Sequence, residues 1–154
     1  MLRLLPILSV LLLTDCQSVA EKDGVGLTLL KQSNQCRIMA PQMRLLKTVA
    51  EIHQATGLRA MLNAKPPPLD VDFSAQAVVL LAMGQKPTAG YRIVVDAEQV
   101  ERRGTTLWLP VRFTAPPTGN AAATVITSPC VVFAVARKGL RRIIAGETGL
   151  SVDF

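Results

Sequence analysis

The sequence predicts an α+β, β-rich fold: a mostly antiparallel sheet or sandwich with one or two short helices packed on it. Three observations lead there. Ala77 to Met83 (AVVLLAM) is a continuous apolar run of strand length, which suits a strand buried on both faces. Beyond Tyr91 the chain repeats short apolar segments broken by Gly and Pro, the rhythm of strands joined by tight turns. Only the stretch after Thr48 carries a strong helix-start signature, and helices that few cannot cover a parallel sheet. Hydrophobic residues are 49% of the 154 and charged residues 18%, a balance that excludes disorder and supports one core. Aromatics are only 4%, so that core is aliphatic.

Met1 to Leu13 (MLRLLPILSVLLL) carries one basic residue, Arg3, and then an apolar run of signal-peptide length. A spanning helix needs roughly 20 apolar residues, so export is the expectation. Two processing routes compete. Leu13-Thr14-Asp15-Cys16 resembles a bacterial lipobox, with Asp15 where that motif has a small residue, and makes Cys16 the lipidation candidate. Ser18-Val19-Ala20 instead offers ordinary signal peptidase its small residues, with Glu21 as the new N-terminus. An uncleaved anchor is the third outcome. Residues 1–20 are thus the signal peptide, ending at 15 or 20, residues 21–34 a tether or edge segment, and residues 35–154 a single β-rich domain. The protein is expected either as an outer-membrane-anchored lipoprotein or as a soluble periplasmic form.

The formal net charge is +6 and the pI about 9.7, which elsewhere would suggest nucleic acid. The exported compartment argues against that partner. With Cys16 lost or lipidated, Cys36 and Cys130 remain as an even pair where disulfides persist, and they are expected to bridge. Two buried free thiols are the alternative.

Cys36 to Ala40 (CRIMA) reads as a strand ended by Pro41, and Gln42 to Leu46 as a second extended piece. Thr48-Val49-Ala50-Glu51 has capping-box spacing, so a helix starts there, with Val49, Ile52 and Ala55 on one face and Gly57 as its stop. Residues 58–63 can add another turn. Pro66-Pro67-Pro68 is a stiff extended joint. The Ala77 to Met83 strand follows, and the downstream strands are expected to pair with it. Tyr91, Ile93, Val95 and Ala97 alternate with Arg92, Val94 and Asp96 in a half-buried strand running towards Val100, and Arg102-Arg103-Gly104 turns the chain. Leu107, Leu109, Val111 and Phe113 share a face, interrupted by Pro110, which marks an edge or a bulge. After the loop from Ala115 to Asn120, Thr124 to Ile126 and Val131 to Ala136 are extended and kinked apart by Pro129. Arg137-Lys138-Gly139 turns into a final strand, Leu140 to Ala145.

No assembled chemistry is legible. Gly84 to Gly90 (GQKPTAG) lacks the spacing and the Lys-Ser/Thr of a phosphate-binding loop, and Gly24-Val25-Gly26 lacks the third glycine of a dinucleotide fingerprint. His53, the only histidine, has no HExxH or CxxC companion and reads as a surface residue. Ser128 lacks a nucleophile elbow. Asp70 and Asp72 face the same way in an extended segment, which permits a carboxylate pair, but a solvated lead-in to a strand explains them more simply. No catalytic, cofactor or metal residues are assigned. Arg137, Lys138, Arg141 and Arg142 cluster about one turn and suit anionic lipid headgroups, an acidic partner, or simply solvent.

Three stretches carry a family likeness: Val71-Asp72-Phe73 before the central strand, Gly84-Gln85-Lys86-Pro87-Thr88-Ala89-Gly90-Tyr91 at its turn, and Thr127-Ser128-Pro129-Cys130 before an apolar strand. Their order and spacing, over about residues 71–136, resemble the PrcB-like C-terminal domain, a small exported bacterial module named after a protease-complex lipoprotein. Two positions depart from the family pattern: Ala89 stands where its turn usually has glycine, and Cys130 where it typically has an aromatic. The second adds a reason for the bridge to Cys36. The resemblance implies a non-enzymatic binding module that stabilises or docks a protease complex, and supplies no catalytic residues. Gly84, Lys86, Pro87, Gly90 and Tyr91 are the candidate partner contacts, with Trp108 a second possible aromatic anchor. The expected partner is another envelope protein, a protease among the candidates, and the membrane is reached through a lipid anchor if Cys16 is acylated. A small hydrolase or inhibitor-like domain, gathering His53, Ser128 and an acid, is the alternative of a different class; a structural envelope lipoprotein is the third.

Overall fold

The protein is described by a computed structural model over residues 26–57, 68–119 and 122–154. The expected signal segment, Cys16, the helix extension at 58–63 and the first two residues of the triple proline lie outside the described residues. Among the described residues, ten strands and one α-helix follow in the order β1 (Leu27–Ser33), β2 (Gln42–Leu46), α1 (Val49–Ala55), β3 (Gln76–Ala82), β4 (Arg92–Val95), β5 (Glu101–Arg103), β6 (Thr106–Leu109), β7 (Val111–Thr114), β8 (Cys130–Ala136), β9 (Arg142–Ala145) and β10 (Leu150–Asp153). The fold is α+β and β-rich, as its patterning indicates.

One four-stranded sheet has the order β1-β8-β3-β2, a second has β10-β9-β6-β5, and β4 with β7 forms a two-stranded ribbon. Pairing is antiparallel throughout except between β6 and β9, which run parallel. The centre of the molecule is the β3–β8 pair, in register from Gln76 opposite Ala136 to Ala82 opposite Cys130. The continuous apolar run of β3 is explained by its two buried faces. Ala77, Val79, Leu81 and Met83, with Val131, Phe133 and Val135 of β8, face Leu107, Leu109, Ile143 and Ala145 of the second sheet and Ile93 and Val111 of the ribbon. Val78, Leu80 and Ala82, with Cys130, Val132 and Ala134, face Leu46, Cys36 and the helix residues Ile52 and Ala55. Each large aliphatic side chain so buried contributes about 1.5–3 kcal/mol.

The helix forms where its start signature lies. Thr48 Oγ1 accepts from the Glu51 amide, while Glu51 reaches one residue further back than a standard box and accepts from the Lys47 amide. Seven residues of helix are marginal alone, so α1 is held by packing on the first sheet. His53, expected at the surface, is buried. Val49, Ile52, His53 and Thr56 sit at i, i+3, i+4 and i+7 of one helical face, and His53 retains only 7% exposure.

Several other expectations are corrected. Cys36 to Ala40 is no strand: Arg37 takes a left-handed backbone at φ 55°, which breaks any extended ladder. Downstream strands do not all pair with β3; its neighbours are β2 and β8 alone. The strand from Tyr91 is short. It stops at Val95 because the Asp96 carboxylate accepts from the Glu98 amide and from Gln99 Nε2, capping a 3-10 turn. Arg102 and Arg103 belong to β5, and the turn falls on Gly104 and Thr105. Pro110 does more than bulge a strand. Leu109 ends pairing with Ala145 on one side, Val111 begins pairing with Val95 on the other, and the residue without an amide donor sits where the chain changes sheets. The segment 124–126 makes no strand, and Leu140 to Ala145 is not last, since β10 returns along β9.

Candidate functional site

The turn leaving β3 is tied on both sides. Met83 N donates to Pro129 O at 3.0 Å, and Gln85 N to Met39 O at 3.0 Å. Lys86 and Thr127 exchange backbone hydrogen bonds of 2.8 and 2.9 Å, an isolated antiparallel bridge. Thr127 Oγ1 donates to Thr88 O, and Ala89 N to Ala123 O, both at 3.0 Å. Three segments therefore behave as one end of the first sheet: residues 36–41, 83–91 and 122–129.

The glycines of this turn are required by its geometry. Gly84 has φ 80° and is buried, and a Cβ there would lie 2.9 Å from both Cδ and N of Pro41. Gly90 has φ 93°, with Pro116 Cβ 2.8 Å from the position of a Cβ. Ala89 is not among the positive-φ residues; the left-handed step falls on Gly90, so alanine at 89 carries no strain there.

The candidate contacts divide by this geometry. Gly84 is structural and buried. Lys86 and Tyr91 are half-buried, with Lys86 Nζ 5.6 Å from the Tyr91 ring centroid, where the aromatic face attracts the cation. Pro87 and Gly90 are exposed. Around them the tied segments expose Met39 (71%), Ile126 (60%) and Val125 (45%). Sequence reading missed these three because nothing local marks them; long-range hydrogen bonds such as Gln85–Met39 and Lys86–Thr127 bring them beside the turn. None of the three segments contains Asp or Glu. Trp108 is not part of this end; it lies on β6, half exposed beneath Arg103 Cζ at 5.2 Å.

Cys36 and Cys130 form a disulfide, Cα–Cα 6.1 Å, across 94 residues. It joins the 36–41 segment to the first residue of β8. Ser128 is a second fastener: its hydroxyl accepts from Ile38 N at 2.9 Å and donates to Ile38 O at 2.8 Å, and its amide donates to Asn34 O. A hydroxyl so engaged is a structural pin rather than a nucleophile awaiting a base.

His53 Nδ1 is buried with no hydrogen-bond partner among the described residues. It lines neither of two described cavities. One, about 510 Å³, lies among Val94, Asp96, Gln99, Arg112 and Glu147, with Asp96 engaged as a cap. The other, about 360 Å³, is bounded by Lys47, Phe73, Arg137 and Phe154. His53, Ser128 and an acid are not gathered in either. Asp72 is exposed and orders the lead-in to β3. The Ser74 hydroxyl and the Ser74 and Ala75 amides donate to its carboxylate and hold it below the usual carboxylate range. Among the described residues no cluster of three or more His, Cys, Asp or Glu is arranged to hold a metal ion, and no helix is long and apolar enough to cross a membrane.

No curated protein and no solved structure matches this chain. A family model described as PrcB C-terminal matches residues 77–136. That span runs from the second residue of β3 through the tied turn and the ribbon to the last residue of β8, so it contains both central strands and two of the three segments described above. Over these residues the chain is similar to the PrcB C-terminal family.

Proposed function

We propose that this chain is an exported, non-enzymatic envelope module that binds another protein through the end of the sheet formed by residues 36–41, 83–91 and 122–129, and so docks or stabilises a protease complex. One observation carries the reading. Exposed Met39, Val125 and Ile126 are held beside Lys86, Pro87 and Tyr91 by backbone hydrogen bonds, so the apolar surface is ordered before any partner arrives. Preorganised apolar groups around an aromatic anchor lose little entropy on binding. In this reading Cys16 carries the lipid anchor, which places the protein at the outer membrane. Without acylation it is periplasmic.

Tyr91→Ala tests the contact. The ring is half-buried and packed against the core margin, so the fold should survive while partner affinity falls about tenfold or more, as for an interface anchor. Affinity capture from envelope extract, with the melting curve as a fold control, reads both quantities. Unchanged capture by a folded variant contradicts the turn as the contact.

A further inference from the structure

The other end of the first sheet has a distinct character. β1 runs antiparallel to β8 with Leu27 opposite Val135. The described chain therefore enters the first sheet beside Ala136 and Arg137, at the end opposite the disulfide and the tied turn. Seven residues of β8 separate the two ends by ~20 Å. The turn between β8 and β9 lies at this N-terminal end, and the turn between β5 and β6 packs beside it: Arg141 N donates to Thr105 O at 2.8 Å, and Arg102 Nη2 to Lys138 O at 3.0 Å.

Cations collect there. Two of them are neutralised, Arg103 by Glu101 and Arg142 by Asp153. Arg102, Arg137, Lys138 and Arg141 are exposed and have no carboxylate within ion-pair distance among the described residues. The guanidinium of Arg102 is held by Gly104 O and Lys138 O, and that of Arg137 lies over the Phe154 ring. Cations fixed on two adjoining turns make one surface rather than four independent charges.

We propose that this end of the folded domain docks on an anionic lipid surface, with Arg102, Arg137, Lys138 and Arg141 against headgroup phosphates. The position of the N-terminal segment selects lipid over an acidic protein. Gly26 lies ten residues from Cys16, a chain that spans at most ~35 Å, so an anchor at Cys16 would keep this end within reach of the bilayer, and the basic patch docked on headgroups would leave the tied turn facing away. An acyl anchor and a basic patch then act together, each raising the local concentration of the other. This orientation goes beyond partner binding and borrows from that reading only the anchor at Cys16.

The test is partition of the full chain onto vesicles rich in phosphatidylglycerol and onto vesicles of phosphatidylcholine alone, at low and high salt. Every arm carries the same N-terminal segment, so its own affinity for lipid cancels between variants. Lys138→Glu/Arg141→Glu alters side chains that make no hydrogen bond among the described residues and should melt as the unsubstituted protein does. Its partition onto phosphatidylglycerol vesicles should fall about 20-fold or more at low salt, with no change on phosphatidylcholine, because each basic residue near an anionic surface contributes about fivefold. Arg44→Glu/Arg92→Glu makes the same charge change at mid-sheet and at the opposite end, and should stay within about threefold. Equal losses in the two double variants, no loss in either, or no preference of the unsubstituted protein for phosphatidylglycerol each overturn the proposal. No protein partner is present in the assay, so its failure leaves capture through Tyr91 untouched, and the reverse also holds.

Discussion

Replacing Cys36 and Cys130 together by alanine should lower the free energy of unfolding by about 4 to 5 kcal/mol, the chain-entropy value for a loop near 100 residues. The bridge closes 94 residues and ties the non-repetitive 36–41 segment to β8. That segment has little else to hold it: one hydrogen bond from the Cys36 amide to Ser128 O, the Ser128 hydroxyl on Ile38, and the Gln85–Met39 bond. Urea denaturation should show the double variant and the reduced native protein losing similar stability. Identical midpoints for oxidised and reduced protein would contradict a stabilising role. The loss should also loosen the Met39 side of the tied end, because no strand pairing carries that segment.

Gly84→Val should cost on the order of 3 kcal/mol or more. Left-handed backbone penalises a β-branched residue by about 1–3 kcal/mol, and forcing a side chain into filled space adds about 1–3. Both act here, since φ is 80° and the Pro41 ring and nitrogen stand 2.9 Å from the new Cβ. The chain cannot easily move aside, because Met83 N and Gln85 N on either flank are bonded to Pro129 O and Met39 O. Gly104 makes the control. It also has positive φ, 61°, but nothing lies within 4 Å of a Cβ, so Gly104→Val should lose only about 1–3 kcal/mol, from backbone strain alone. Equal denaturation midpoints for the two variants would show that Pro41 is not the obstacle.

Much of the fold was legible because its signals are local. Thr48 and Glu51 mark the helix start by side-chain chemistry that acts over four residues. Ala77 to Met83 announces burial on both faces, and Cys36 with Cys130 follows from counting thiols in a chain expected to be exported. What was hidden depends on distant partners. Residue type suggests a surface position for His53, although its spacing from Val49, Ile52 and Thr56 puts it on the buried face. The run from Leu107 to Phe113 keeps one alternation across Pro110, so nothing along it shows that its halves enter different sheets. Leu150 to Asp153 is four residues with two polar ones, too weak a pattern to mark β10, which exists through its ladder on β9 and the Arg142–Asp153 pair. The candidate site shows the same division: its glycines and Tyr91 stand out in sequence, whereas Met39, Val125 and Ile126 join them only through backbone bonds formed on folding.

The protein-binding reading is tested most directly by a photoreactive residue placed at Pro87, exposed at the tip of the tied turn, and compared with one at Arg44, exposed on β2. Irradiated in intact cells, the residue-87 protein should crosslink to one defined envelope protein, the adduct should fade in the Tyr91→Ala background, and position 44 should give little. Adducts of the same mass and yield from both positions, or none from residue 87 in a folded and exported protein, would contradict partner binding through this end of the sheet.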